Sequence, residues 1–253
     1  MARNPVQHVP SRQNLRNTLG LAREFGFIEF NTIDQVEWWD DFVGDTIHGG
    51  YFTATNGTGA DALAISATGI SGEATIKNGT ADDAYSGFGT GLEWYGQLNC
   101  AMAVRLKTDD IAATKIEVGF TDATDDGGAC NDLDGATFTA TDCAVWAFDT
   151  DDSTDNWKLA STPDGGTTDT VTDTSIAPVA DTYETLIVAL EDTAAHFYRL
   201  DSNGYQTYRA SHTTGPSKDV ALTPWVFTQT REGSDEKTVT VDFIRVWQRR
   251  TVS

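Results

Sequence analysis

The segment that most constrains the fold lies near the end of the chain. Residues 237–250 alternate apolar and polar side chains and then become apolar on both faces, with apolar positions at Val239, Val241, Phe243, Ile244, Val246 and Trp247. This pattern predicts a β-strand that is half covered at its start and fully covered at its end. The early segment of matching character is Glu37-Trp-Trp-Asp-Asp-Phe-Val43. We therefore predict that the two ends of the domain pair with each other.

Strand patterns also recur between these two segments, and Asn-Gly or Asp-Gly dipeptides of the hairpin type separate several of them. Strands are predicted at 51–55, 63–67, 73–77, 97–106, 115–121, 144–148, 157–161, 184–190, 196–200, 224–230 and 238–248. No long helical periodicity and no internal repeat interrupts them. The pattern predicts an all-β domain over residues 37–253, built as an antiparallel two-sheet sandwich.

The first 36 residues differ in character from the rest. It contains four Arg, two Glu and one Asp, so its net charge is +4 − 3 = +1. The remainder of the chain carries −21 − 1 = −22. We predict an N-terminal arm with a short helix that Ser11 caps. The arm would anchor the domain or contact another subunit through Arg12, Leu15, Arg16, Leu19, Phe25 and Phe27.

The charge of the chain is strongly negative. Its 38 acidic residues comprise 28 Asp and 10 Glu, and only 17 residues are Lys or Arg. This balance argues against a nucleic-acid partner and favours a protein kept soluble in concentrated salt, although an ordinary acidic surface is the alternative. Residues 1–30 lack the pattern of a signal peptide, and no stretch is apolar enough for a membrane span. We expect no membrane insertion.

Three elements of the sequence together resemble the concanavalin A-like, laminin-G-like jelly-roll family. They are Trp39–Phe42, the hairpin from Tyr183–Leu190 to Ala195–Gly204, and the closing Val241–Trp247. The resemblance implies an antiparallel two-sheet jelly-roll sandwich but not one function, because the family includes lectins, glycan hydrolases and structural modules.

A narrower resemblance is to uncharacterised virion-associated proteins of tailed viruses and prophages. It rests on the order of the segments Asp40–Asp45, Val118–Asp122, Val145–Thr150, Ile176–Leu186 and Leu222–Val226. The resemblance implies a structural protein on the virion, either a capsid decoration or a vertex-turret subunit. Its partners would be further copies of itself, as a homo-oligomer, and virion proteins such as the major capsid protein. The acidity would then indicate a virus of haloarchaea or another halophile.

Enzymatic activity has little support in the sequence. Glucanases of this fold carry Glu-x-Asp-x-x-Glu on a strand, which places a nucleophile and a general acid in one cleft. None of the ten Glu is followed two positions later by Asp, and the four His have no metal-ligand spacing. We predict that the chain is not an enzyme, with glycan hydrolysis as the second alternative function.

The first alternative is a receptor-binding, lectin-like module that recognises host surface glycans. Exposed aromatic side chains would stack on sugar rings, and Trp94, Tyr95 and Trp157 are the candidates. For each of them taken singly, the sequence favours packing in a core or an interface over stacking on a sugar.

No cofactor is required, but calcium is possible because acidic side chains cluster in two places. Asp149, Asp151 and Asp155 alternate in one segment, and Asp132 and Asp134 belong to the other. Neither cluster is a complete calcium loop, and solvated acidic loops are the alternative. Cys130 and Cys143 bracket the second cluster and would form a disulfide under oxidising conditions, whereas Cys100 has the pattern of a small buried side chain.

Overall fold

A computed structural model describes residues 35–44, 46–47, 52–66, 72–91, 93–124, 127–165, 169–232 and 235–250. The predicted helix and the arm residues Arg12, Leu15, Arg16, Leu19, Phe25 and Phe27 lie outside the described residues. No helix in the described ranges has the length and apolarity needed to cross a bilayer.

Nearly all regular structure in these ranges is β-strand, with a single 3-10 turn at Gly96–Leu98. The strands are β1 (Gln35–Asp40), β2 (Thr53–Asn56), β3 (Asp61–Ile65), β4 (Ala74–Lys77), β5 (Tyr85–Gly89), β6 (Ala101–Thr108), β7 (Thr114–Thr121), β8 (Cys130–Asp132), β9 (Thr137–Phe138), β10 (Cys143–Asp149), β11 (Lys158–Thr162), β12 (Thr170–Asp173), β13 (Glu184–Glu191), β14 (Ala194–Leu200), β15 (Gln206–His212), β16 (Thr223–Thr230) and β17 (Thr238–Arg249).

Two large antiparallel sheets form the sandwich. The eight-stranded sheet has the order β15-β14-β13-β6-β17-β4-β3, with β1 paired to β17. The seven-stranded sheet has the order β12-β11-β10-β7-β16-β5-β2, and β8 and β9 form a small separate hairpin. The predicted all-β, two-sheet architecture is confirmed.

The predicted meeting of the two ends is also confirmed. β1 pairs antiparallel with the second half of β17, with Trp38 opposite Val246 and Asp40 opposite Ile244. A register shift between Val241 and Phe243 accompanies the change from alternating to continuous apolar character. β4 pairs with the first half of the same strand, so β17 holds two neighbours along one edge.

Aromatic side chains fill the space between the sheets. Trp146 lies among them, with its ring centroid 6.3 Å from that of Trp157 and 6.1 Å from that of Phe197. Its indole N–H donates to the backbone oxygen of Ile187 in the opposite sheet at 3.1 Å. Because all three aromatic side chains are fully buried, truncating any one of them would cost about 3–5 kcal/mol. This core fixes the platform on which the outer surfaces are built.

Candidate functional site

A cleft of about 440 Å³ opens where the seven-stranded sheet meets its loops. Four separate parts of the chain line it: residues 57–58, residues 81–85, Gly127 with Asn131, and Gln229 with Arg231. The sheet supplies the rigid part of this wall, because Tyr85 on β5 lies directly opposite Gln229 on β16.

An aromatic row on the seven-stranded sheet reaches the cleft at one end, through Tyr85. Tyr85 stacks on Phe227, with ring centroids 6.1 Å apart and planes inclined by 27°, and Phe227 stacks on Trp225 at 5.7 Å. The glycine at position 87 makes room for this row, because a Cβ there would lie 2.8 Å from the Trp225 ring. Phe227 and Trp225 are fully buried, whereas Tyr85 is half-buried at the cleft wall. Tyr85 is therefore the member of the row that a ligand can reach.

Arg231 fixes the charged end of the cleft. Its guanidinium donates to both carboxylate oxygens of Asp149, at 3.0 and 2.6 Å, and to Asp83 at 3.1 Å. Asp151 adds a third carboxylate 3.4 Å from Nε. Asp149 is buried, whereas the side chain of Asp83 is 68% exposed. One cation thus holds a group of carboxylates at the cleft, and Asp83 presents its free edge to solvent.

A buried ion pair holds the loop that closes the other side of the cleft. Lys115 and Glu117 face the same side of β7 and lie 3.1 Å apart, with almost no exposure to solvent. Lys115 donates to the backbone oxygens of Gly127, at 2.8 Å, and of Cys130. Glu117 accepts the backbone N–H groups of Ala129 and Cys130 at 2.6 and 3.0 Å. These four hydrogen bonds fix the loop that carries Gly127 and Asn131.

The predicted calcium ligands do not meet at one point. Asp149 is occupied by Arg231, and Asp134 pairs with Lys158 at 2.5 Å, a hydrogen bond that lowers the pKa of Asp134 to about 2. Asp132 accepts the backbone N–H of Gly135, and Asp155 is exposed. No group of three or more potential metal ligands occurs in the part of the chain that the structure describes. The two sequence clusters are therefore tied to basic side chains and turns.

Two of the three predicted sugar-stacking residues are buried. Trp157 is fully buried between the sheets and donates its indole N–H to Glu184 at 3.0 Å. Trp94 is 5% exposed and donates to Thr90 at 3.1 Å. Neither can stack on a sugar from solvent, so these two predictions are wrong. Tyr95 is half-buried, and its backbone N–H donates to Gln248 at 3.1 Å, away from the residues that line the cleft.

The three cysteines are free and fully buried. Cys130 and Cys143, the pair predicted to bridge, are thiols in the structure. Burial is the main cause that raises the pKa of Cys130 well above its usual value, and a hydrogen bond to the Cys143 side chain adds to it.

Comparison with known proteins gives likeness in structure alone. No family model matches the sequence, and no curated protein matches it. A protein of unknown function from Shewanella oneidensis is similar with a TM-score of 0.61 and 15% identity, over 99% of this chain and 98% of that one. Peanut lectin is similar with a TM-score of 0.56 and 11% identity, over 86% and 99% of the two chains. The CBM2 module of an evolved Dit protein of Lactobacillus casei phage J-1 is similar with a TM-score of 0.55 and 11% identity, over 86% of this chain and 97% of that one.

The prediction that the chain is not an enzyme is wrong, because several structures with this fold are enzymes that cleave glycans. A β-1,3-glucanase from Mycobacterium marinum shares the fold with a TM-score of 0.56 and 11% identity, over 83% of this chain and 97% of that one. A laminarinase and an O-glycanase are also similar. The missing Glu-x-Asp-x-x-Glu pattern excludes one arrangement of carboxylates, and it does not exclude hydrolysis by another arrangement on this fold.

Together, the topology and these likenesses show the fold alone: a two-sheet jelly-roll sandwich of the kind seen in peanut lectin, the phage CBM2 module and the β-1,3-glucanase.

Proposed function

We propose that this chain is a lectin-like module that binds a glycan in the cleft beside Tyr85. The observation that carries the proposal is the position of Tyr85, a half-buried ring held by stacking on Phe227 at the wall of a polar cleft. Sugar sites combine an aromatic face for the pyranose ring with a few fixed polar groups for its hydroxyls. Here stacking on Phe227 holds the Tyr85 ring in place before a ligand binds.

The polar groups around Tyr85 suit sugar hydroxyls. Asp82, Asp83 and Asn131 are exposed at the cleft, and their carboxylate and amide oxygens accept hydrogen bonds from hydroxyl groups. The Asn131 amide also donates, so the cleft offers both kinds of partner. The loop that carries Asn131 is fixed by Lys115 and Glu117, which limits the entropy that binding would cost.

The local charge favours a neutral glycan. Asp82, Asp83, Asp149 and Asp151 contribute −4, and Arg231 contributes +1, which leaves −3 at this end of the cleft. The chain as a whole carries −21. A sulfated or uronic-acid glycan would meet repulsion from both the cleft and the surface.

The proposed setting is a virus particle. It is supported by the sequence resemblance to virion-associated proteins and by the phage origin of the similar CBM2 module. On a particle, a cleft that binds host surface glycans favours a receptor-binding role over a purely structural decoration or turret subunit. Assembly as a homo-oligomer with other virion proteins belongs to the same proposal, and so does a halophilic host.

A glycan array probed with the labelled full-length chain tests the binding proposal. We expect binding to a set of neutral glycans that is competed by the free sugar, with no signal on sulfated or uronic-acid analogues. An array that includes native host surface glycans and gives no signal at all would contradict the proposal. Binding to the anionic set alone would contradict the assignment to this cleft.

A second candidate function, favoured by the carboxylates at Arg231, is hydrolysis of the bound glycan. Burial is the main cause that raises the pKa of Asp151, partly offset by the charge of Arg231, so this group suits a general acid. Asp83, paired with the same guanidinium, would supply the second carboxylate. Release of reducing ends from an array-positive glycan, lost on Asp151→Asn, would support hydrolysis, and tight binding without turnover would exclude it.

A further inference from the structure

The chain contains three Asn-Gly dipeptides, at Asn56-Gly57, Asn78-Gly79 and Asn203-Gly204. An asparagine before glycine loses its side-chain amide readily, because glycine has no side chain to shield the backbone nitrogen that attacks that amide. The dipeptide itself therefore makes the three places similarly reactive. The fold distinguishes them by how firmly it holds each asparagine side chain and the backbone nitrogen that follows it.

Asn78 is fixed by buried hydrogen bonds. It is fully buried, and its amide donates to the hydroxyl groups of Thr114 at 3.3 Å and Thr228 at 3.4 Å. Its side-chain oxygen accepts the backbone N–H of Lys237 at 2.7 Å. The Asn78 side chain can therefore turn toward the nitrogen of Gly79 only when the surrounding part of the sandwich opens.

Asn56 is exposed, but hydrogen bonds fix both groups that would react. Its side-chain amide donates to the backbone oxygen of Ala60 at 3.0 Å. The backbone N–H of Gly57 donates to the backbone oxygen of Tyr85 at 2.8 Å, and the Tyr85 ring lies against Gly57. Attack of the Gly57 nitrogen on the Asn56 side chain would have to break both hydrogen bonds beside a crowded ring.

Asn203 is held much less firmly than the other two. It lies in the exposed turn between β14 and β15, and its side chain forms no hydrogen bond with the residues that the structure describes. Two hydrogen bonds within the turn hold its backbone: Gly204 N–H donates to the Asp201 backbone oxygen, and Asn203 N–H donates to the Asp201 carboxylate, both at 2.9 Å. Hydrogen bonds in an exposed turn open at a small cost in free energy.

We infer that Asn203 is a site of spontaneous deamidation, and that the fold protects the other two Asn-Gly pairs. The backbone nitrogen of Gly204 loses its proton to solvent and bonds to the side-chain carbonyl carbon of Asn203. The bond from that carbon to the amide nitrogen breaks, the nitrogen takes up a proton and leaves as ammonia, and a cyclic succinimide remains. Water then opens the ring at either carbonyl and gives aspartate or isoaspartate, with no oxidation or reduction.

The modification changes the turn in which it forms. A carboxylate replaces the neutral amide two residues from the carboxylate of Asp201, so negative charge accumulates at the tip. Isoaspartate also adds one methylene to the backbone of a turn that sets the pairing of β15 with β14. β15 ends the strand order of its sheet, so we expect the change to loosen that edge. The turn lies outside the residues that line the cleft, and this inference is therefore independent of the glycan proposal.

Peptide mass spectrometry of the full-length chain tests the three sites together. The protein is incubated at neutral pH and sampled over time, and each sample is digested with trypsin. The conversion of amide to acid is then measured at each asparagine. Cleavage after Arg199 and Arg209 releases residues 200–209, in which Asn203 is the only asparagine. The same incubation in concentrated urea is the matched control, because unfolding removes the protection at all three sites.

In the native chain we expect Asn203 to be converted faster than Asn56 and Asn78 by about tenfold or more, since those two react only after local opening. In urea the three rates should agree to within about threefold. A native rate at Asn203 no faster than at the other two sites would overturn the inference. A difference that persists unchanged in urea would also overturn it, because its cause would then be the local sequence and not the fold.

The variant Asn203→Gln checks the assignment within the peptide. Its longer side chain closes the corresponding ring far less readily, so residues 200–209 should stay unconverted in the native variant. Acid that forms in this peptide at the rate seen in the unmutated chain would overturn the assignment to Asn203.

Discussion

Gly57 lies directly against the ring of Tyr85: a Cβ at position 57 would be 2.9 Å from Cε1 of that ring. The Asn56-Gly57 dipeptide has the hairpin-turn pattern in the sequence, and in the structure the backbone N–H of Gly57 donates to the backbone oxygen of Tyr85 at 2.8 Å. The glycine also sets where the Tyr85 ring can stand. Because Gly57 has no side chain, the Tyr85 ring can occupy its place in the cleft wall.

Gly57→Ala should therefore displace Tyr85 and weaken glycan binding. We expect a loss of about threefold to tenfold in affinity by calorimetric titration, with a change in stability of about 1 kcal/mol or less. The matched control is Gly44→Ala, because a Cβ at Gly44 meets no atom within 4 Å. Equal affinity of the two variants would show that the Tyr85 position does not matter for binding.

Arg231→Met should destabilise the fold strongly. It leaves the Asp149 carboxylate buried without its bidentate partner, and breaking such a pair costs about 3–5 kcal/mol. Lys77→Met is the control, because its pairs with Glu236 and Asp61 are exposed and worth about 0–1 kcal/mol. Urea unfolding measures both, and Arg231→Met/Asp149→Asn should recover part of the loss. Equal losses for the two single variants would contradict this account.

His212 should make stability depend on mildly acidic pH. It joins the edges of the two sheets through Ser161 at 2.8 Å and Thr172 at 3.1 Å, and burial lowers its pKa from 6.5 to about 4. Between these two values the unfolded chain binds the proton and the folded chain does not, so stability falls as the pH drops from about 6.5 to about 4.

The variant His212→Gln isolates this contribution, because all other titrating groups are common to both proteins. Urea unfolding at about pH 7 and about pH 4.5 should show a smaller loss on acidification for the variant than for the native chain. The same loss in both proteins would mean that His212 is not held neutral in the fold.

Salt should stabilise the chain if its acidity reflects a halophilic origin. Raising sodium chloride from about 0.1 M to about 1 M shortens the Debye length from about 10 Å to about 3 Å. Screening then reduces repulsion within a chain of net charge −21, so the melting temperature should rise. A melting temperature that stays constant over this range would refute the halophile proposal.

The sequence predicted well where periodicity carries the information. The pairing of β1 with β17 followed from alternation along residues 237–250 and a matching early segment. β5 was missed because Tyr85-Ser-Gly-Phe-Gly89 contains two glycines, which are poor strand formers. At position 87 a glycine is needed because of a tertiary contact: it makes room for the ring of Trp225 on the neighbouring strand. No local sequence pattern reveals that contact.

The candidate cleft could not be predicted for a related reason. Its lining comes from four segments far apart in sequence, and none carries a motif. Trp157 follows a run of Asp, Ser and Asn residues and was therefore a candidate for an exposed ring that stacks on a sugar, yet it precedes β11 and lies in the core. The composition of residues 151–156 correctly indicates a polar turn, but it does not show that the Trp157 side chain points into the space between the sheets.

The measurement that tests the central claim most directly is a calorimetric titration of Tyr85→Ala and Tyr205→Ala with the glycan identified on the array. Tyr205 is the matched control, because it is 73% exposed in the turn between β14 and β15, away from the cleft. We predict that Tyr85→Ala weakens binding by at least tenfold, since aromatic stacking is lost, and that Tyr205→Ala binds as the native chain does. Native affinity in Tyr85→Ala would contradict the assignment of the glycan site to this cleft.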